Sequence, residues 1–285
     1  MKRLVLSMAA GVLCLAAAER KVDPAFLHRF VPSVEARQSD ITTSTCRYKP
    51  LFGAGDSDTS IVHGVARFGE VLIDPGGSCK SVSYPAEEQA YVIIAGQGTL
   101  RHGAEQSPVK PHDFFYIPAG TDHALSNSSN APMSVYIMGY KLPPGAANKS
   151  DKVQIANFDE IKKQTVGGHP DSVVYQLMMG DTKSKRDRIA AGHVLISLYV
   201  MEFKPGGTNF PHHHDTAEEI YVLLDGTGDM VAGGGMDGIE GRHPAKPGDA
   251  YFFRLNCTVG FYNSDAGPAH MLAVRSVYPR HEPEE

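Results

Sequence analysis

This chain is written twice. Residues 70–98 (EVLIDPGGSCKSVSYPAEEQAYVIIAGQG) align without a gap on residues 200–228 (VMEFKPGGTNFPHHHDTAEEIYVLLDGTG), at a constant offset of 130. Both units must solve the same packing problem, so the fold of one constrains the fold of the other. The copies differ where chemistry would sit. His212, His214 and Glu219 of the second copy stand opposite Val82, Tyr84 and Gln89 of the first. That mismatch predicts one half equipped for metal binding and one supporting half.

Each copy is built of short β-rich runs cut by turns. In the first these are VARFGEVLI, AYVII, DFFYIPAG and MSVYIMGY, with Pro75-Gly76-Gly77 and Gly96-Gln97-Gly98 as breaks. In the second they are HVLISLYVMEF, EEIYVLL, DAYFFRL and AHMLAVRSVY. Many short strands at regular spacing predict an all-β chain of barrels or sandwiches. Residues 19–60 read as a mixed arm with an added strand, 61–142 as the N-terminal barrel, 143–190 as a linker and 191–285 as the C-terminal barrel. Within the linker, ANFDEIKKQ predicts a short helix with Asn157 near its start. The run Gly233-Gly234-Gly235 falls where the offset grows from 130 to 136, which predicts a longer hairpin tip.

Residues 1–18 (MKRLVLSMAAGVLCLAAA) have a basic start, an apolar run too short to span a bilayer with ease, and a small-residue end before Glu19. They predict a cleaved signal peptide and a secreted or periplasmic mature protein with no membrane association. Removing them takes away Lys2 and Arg3 and no acidic residue, so the formal charge moves from −5 to −7. Nucleic acid and anionic membrane are poor partners for such a chain. Three cysteines then remain, Cys46, Cys79 and Cys257. An odd number leaves at least one thiol free, and a Cys46–Cys79 pair is open to an exported chain.

His212 and His214 are two apart in an extended region, so both imidazoles project from one face while His213 points away. Glu219, past a short turn, returns a carboxylate to the same interior. Two imidazoles and a carboxylate form a facial set suited to Fe(II) oxygen chemistry, and equally to Zn(II) or Mn(II) activating water. Tyr221 and Leu223, in the parity of Glu219, together with Val259 and Phe261, predict apolar walls for a small-molecule pocket. Glu218 has the opposite parity and reads as a surface residue, and Glu87, Glu88 and Asp122 read as solvated. In the first copy His123, with Tyr84 and Gln89 around it, reads as a histidine hydrogen-bonded inside a barrel mouth; acid–base work on an organic ligand in a metal-free pocket is the alternative.

Taken together these motifs resemble the cupin family, and the doubling resembles a bicupin. The family's first motif is matched by Gly207, His212-His213-His214, Glu219 and Gly226. Its second is matched in the first copy by Pro118, Gly120, His123 and Asn127, with His112 at the opening glycine. The second copy keeps Gly248 and Asn263 but has Arg254, Asn256 and Val259 at the family's proline, glycine and histidine. The resemblance implies two tandem jelly-roll (double-stranded β-helix) barrels, a divalent metal ion (Fe, Mn or Zn) and a homodimer. It also implies a third histidine ligand where this chain has Val259. His193 and His270, on flanking strand-like segments, are candidates to replace it.

Three function classes follow. The facial set favours a metal-dependent enzyme of dioxygenase-like chemistry acting on a small organic molecule. Incomplete motifs in both copies favour a non-catalytic cupin that binds a small molecule or sugar, or is structural. The stretch GDAYFFRLNCTVGFYN resembles ureidoglycine aminohydrolases, which implies a metal-dependent hydrolase, although Val259 stands at their glutamine ligand.

Overall fold

The computed structural model describes residues 24–145, 152–234 and 240–277. The expected signal peptide and the tip of the glycine hairpin lie outside them. The described residues form strands β1 (Phe26–Phe30), β2 (Cys46–Gly53), β3 (Val65–Ile73), β4 (Glu87–Ala95), β5 (Gly98–His102), β6 (Glu105–Val109), β7 (Asp113–Ile117), β8 (His123–Asn127) and β9 (Met133–Lys141). There follow β10 (Gln154–Asn157), β11 (Val173–Asp181), β12 (Ile189–Gly192), β13 (Leu195–Phe203), β14 (Ala217–Asp225) and β15 (Gly228–Gly233). The last are β16 (Glu240–Ala245), β17 (Asp249–Phe253), β18 (Thr258–Asn263) and β19 (Ala269–Val277). No α-helix occurs among the described residues.

Each repeat folds as a large sheet facing a three-stranded one. The first uses β10-β7-β4-β9-β3-β2 and β6-β5-β8, the second β1-β17-β14-β19-β13-β11-β12 and β16-β15-β18. The motif asparagines act as equivalent staples. Asn127 Nδ2 donates to the carbonyls of Ile73, Asp74 and Ala131, and Asn263 Nδ2 to those of Phe203, Lys204 and Gly267. Buried carbonyls at strand ends need such donors, which gives both copies a structural reason for the asparagine.

The edge strands are exchanged. β1, from the arm before the first barrel, pairs with β17 of the second, and β10, from the segment before the second barrel, pairs with β7 of the first. The short helix expected in ANFDEIKKQ is a correction: it is the end of β10 followed by one 3-10 turn, Phe158–Glu160. Residues 154–157 give their backbone groups to the sheet, and Asn157 caps the turn by accepting from the Asp159 amide at 2.9 Å. Beyond it, β11 and β12 join the second large sheet.

Three hydrophobic cores result. One fills each barrel, around Tyr91, Phe115 and Leu125 in the first and Tyr221, Phe253 and Phe261 in the second. The third lies between the barrels and combines Ala90, Val92, Phe114 and Met138 with Ile220, Val222, Phe252 and Val274. Both faces of β4 and β14 are therefore covered. This overturns the solvated reading of two glutamates: Glu88 and Glu218 are each 1 % exposed. Their strand parity points away from the barrel interior as expected, but that face meets the other barrel and not water. A disulfide joins Cys46 and Cys79, with Cα atoms 5.1 Å apart, and Cys257 is a buried free thiol pushed up to about 11 by burial.

Candidate metal centre

His212 is held in an extended backbone by a reciprocal pair with Val259: each amide donates to the other's carbonyl, at 2.9 and 2.8 Å. Two residues on, the His214 carbonyl accepts from the Asn256 amide at 2.8 Å. Asn256 has φ +58° where the first barrel has Gly120 at φ +78°. Asparagine is among the few side chains that enter this region at modest cost, so the loop geometry survives loss of the glycine. His212 and His214 turn inward and are half-buried, whereas His213 is exposed. β14 then brings Glu219 to them, 1 % exposed.

The ligand atoms of His212, His214 and Glu219 lie within 4.8 Å of one another. His212 Nδ1 is 2.8 Å from the Phe210 carbonyl, which only accepts, so the proton sits on Nδ1 and the lone pair on Nε2. Burial holds the His212 imidazole below its ordinary range, against the pull of that carbonyl and of Glu219. It is therefore neutral at neutral pH, as ligation requires. Burial opposes ionisation of Glu219, but His214, Arg275 and the Tyr199 hydroxyl, which donates to its Oε1 at 2.7 Å, together hold the carboxyl below the ordinary range. Arg275 Nε stands 4.0 Å from the same oxygen.

The remaining polar atoms make no hydrogen bond. His214 Nε2 and Glu219 Oε2 lie 3.2 Å apart without hydrogen-bond alignment, and both are orphaned and buried. Tyr175 Oη, Ser197 Oγ and Arg275 Nε are orphaned beside them. His214, Tyr175, Ser197 and Arg275 line one cavity of about 30 Å³ together with His212, His169, Arg186 and Tyr221, and Glu219 lies against it through its contact with His214. Such a concentration of unpaired groups is costly unless something charged or polar occupies it. A divalent cation fits this donor set, since it would use the lone pair of His214 and the free oxygen of Glu219. Of the other expected pocket residues, Tyr221 lines this cavity, while Leu223, Val259 and Phe261 pack in the core of the same barrel.

A larger cavity of about 820 Å³ lies in the cleft between the barrels. Its ionic groups are mutually paired, as Lys49 with Glu70, His112 with Asp159, and His270 with Asp225 and Glu202. The smaller site, where buried polar groups make no hydrogen bond, is therefore the candidate metal centre. His270 belongs to that cleft, and the backbone amide of His193 is bound to Glu88 at 2.9 Å. Neither side chain lines the histidine cavity. The histidine that does, beyond the motif pair, is His169, from the segment between the repeats.

In the first barrel His123 is 1 % exposed and bonds through Nδ1 to the Thr121 carbonyl and through Nε2 to the Tyr91 hydroxyl, both at 2.9 Å. Its partner is thus Tyr91, not Tyr84 or Gln89. Burial lowers its basicity. Arg67 lies 3.9 Å over the Tyr84 ring and binds Glu87 at 3.0 Å, and Gln89 donates to the same carboxylate at 2.8 Å. Tyr84 and Gln89, two of the three positions that match the candidate ligands of the second barrel, belong here to an internal ion-pair network.

The profile described as Cupin domain matches residues 69–139 and 199–275, just over half of the chain. The chain belongs to the cupin family. Its two matched regions are the two barrels, making it a bicupin. No curated protein matches it in sequence. A putative glyoxylate-induced protein from Pseudomonas aeruginosa superposes with a TM-score of 0.73 at 15% identity, over 94% of this chain and 95% of that one. Protein Ylba from E. coli gives 0.69 at 14% identity, over 94% and 98%. An oxalate decarboxylase from Lactobacillus farciminis, solved with formate, gives 0.66 at 11% identity, over 92% and 88%. At these identities the likeness establishes the bicupin fold. Within that fold the second barrel departs from the family's histidine at Val259, while keeping a left-handed residue at Asn256.

Proposed function

We propose that this bicupin is an exported metalloenzyme whose C-terminal barrel uses a divalent ion to act on a small carboxylate, with oxygen-dependent chemistry the leading reaction class. The observation that carries the reading is the cluster of His212, His214 and Glu219, whose His214 Nε2 and Glu219 Oε2 make no hydrogen bond, beside a cavity that His212, His214 and Arg275 line. His212, His214 and Glu219 would hold the ion, which supplies Lewis acidity and, for iron or manganese, access to oxygen. Arg275 offers a fixed cation beside it for an anionic group, and burial strengthens that attraction. Tyr199 orients Glu219. The cavity of about 30 Å³ has room for little more than an ion and a water, so even a compact acid enters only as the mouth opens. Oxalate decarboxylases with manganese centres occur among the similar structures, and they support a divalent ion and a small acid as first probes.

The disulfide between Cys46 and Cys79 supports export, because such bonds persist in oxidising compartments. Cleavage before Glu19 is part of the proposal, and the intact mass of protein recovered from the exporting host tests it.

The deciding experiment is metal quantification on tag-free mature protein beside a His212→Ala/His214→Ala variant. Oxygen uptake and carbon dioxide release are then followed on a panel of small carboxylates. Near-stoichiometric metal that the variant loses, with turnover of at least one acid, supports the reading. Stoichiometric metal with no turnover supports the second reading, a binding cupin, which the confined cavity favours. A metal-free protein after anaerobic reconstitution would sink both metal readings.

A further inference from the structure

We propose that His169, which belongs to neither cupin motif, supplies the third imidazole of the metal centre in place of the one lost at Val259. This inference rests on the metal reading above. The segment between the repeats reaches the histidine cavity of the second barrel, which Val166 and His169 line. It is tied down by Gln164 and Tyr175, whose amides and carbonyls pair reciprocally at 3.0 and 2.8 Å, and it turns at Val166, whose carbonyl accepts from the His169 amide. The turn places the His169 ring edge-on to His212, with centroids 5.1 Å apart and planes at 75°. The motif pair His212 and His214 has nearly the same relation, 4.9 Å and 80°. With metal–nitrogen bonds of about 2.1 Å, adjacent imidazoles on one ion have centroids on the order of 5 Å apart.

The tautomer agrees with this role. His169 Nδ1 lies 3.1 Å from the Asn209 carbonyl, so it carries the proton and leaves the Nε2 lone pair for an ion. His212 is set by the same device through the Phe210 carbonyl. Asn209 is a firm anchor: it is 1 % exposed, donates to the Tyr221 hydroxyl at 3.2 Å and accepts from the Phe261 amide at 2.9 Å. His169 is not within the 4.8 Å set of His212, His214 and Glu219, so ligation draws it inward. The adjoining Gly167 and Gly168 leave that movement unobstructed, since a Cβ at either would meet nothing within 4 Å.

The test uses tag-free mature protein and Mn(II) alone as probe. Affinity is read by electron paramagnetic resonance titration and imidazole ligands are counted by X-ray absorption, for the wild type, His169→Ala, His169→Gln and the exposed control His213→Ala. The inference expects three imidazoles in the wild type and two in either His169 variant, with affinity falling about tenfold or more and His213→Ala unchanged. Equal thermal midpoints of the metal-free proteins separate ligand loss from misfolding. Two imidazoles in the wild type, with both His169 variants matching its affinity, overturn this inference and leave the metal reading intact. No Mn(II) binding by the wild type overturns both.

Discussion

Glu88 and Glu218 occupy the same position in the two repeats, and each carboxylate caps the opening of a long strand of the other repeat, β13 for Glu88 and β3 for Glu218. Glu88 accepts from the amides of His193, Val194 and Leu195 at 2.7 to 2.9 Å, and Glu218 from those of His63 and Gly64 at 2.9 Å. Their side-chain partners differ. The Tyr116 hydroxyl donates to Glu88 at 3.0 Å, whereas the equivalent residue in the second barrel is Phe252. Burial pushes Glu218 up to about 7, against the pull of its backbone donors.

The burial of Glu218 makes the inter-barrel contact sensitive to pH. A carboxyl whose folded value is about 7, above an ordinary 4.5, takes up a proton on folding. Its contribution is fully present below about pH 4.5 and is lost as pH rises through about 7. Stability measured by urea unfolding is expected to fall by up to about 3 kcal/mol across that window relative to Glu218→Gln, which does not titrate. Parallel pH profiles of the two proteins would refute it.

Arg275 is expected to matter for anion binding. Arg275→Gln keeps polarity but removes the charge beside Glu219. In metal-loaded protein, calorimetry with oxalate as probe is expected to show affinity reduced about tenfold or more. Arg275→Lys restores the charge but not the planar fork and should recover only part of the loss. Unchanged affinity in both variants would remove Arg275 from the site.

Asn256 carries the left-handed turn that places His214. Asn256→Val forces a β-branched side chain to φ +58° and is expected to cost about 2 kcal/mol and to weaken metal binding. Asn256→Gly, which adopts that angle freely, should keep both close to wild type. Denaturant titration and metal quantification read the two effects separately, and a stable, metal-replete Asn256→Val protein would count against the argument.

The Cys46–Cys79 bond closes a loop with a sequence separation of 33. Replacing both cysteines by alanine is expected to cost about 2–4 kcal/mol. The bond lies in the first barrel, so the metal content of the second should persist under conditions where the variant is folded. Loss of metal in a fully folded variant would contradict that separation.

By itself the sequence determined the architecture, because the repeat at offset 130 and the 2-residue alternation of short strands admit few all-β solutions. It also determined the inward pairing of His212 with His214 and the return of Glu219, since strand parity is a local property. Three matters were decided only by tertiary structure. Strand exchange turned the expected linker helix into β10 and a single 3-10 turn, because its backbone found a sheet edge in the other half of the chain. Packing between barrels buried Glu88 and Glu218, because parity says which face a residue takes but not what lies against that face. The approach of His169 to His212 joins residues 43 apart in sequence, outside either motif, through a loop whose course no periodicity encodes. Periodic patterns report contacts with the nearest layer, whereas a second layer and a connecting loop are set by how whole elements dock.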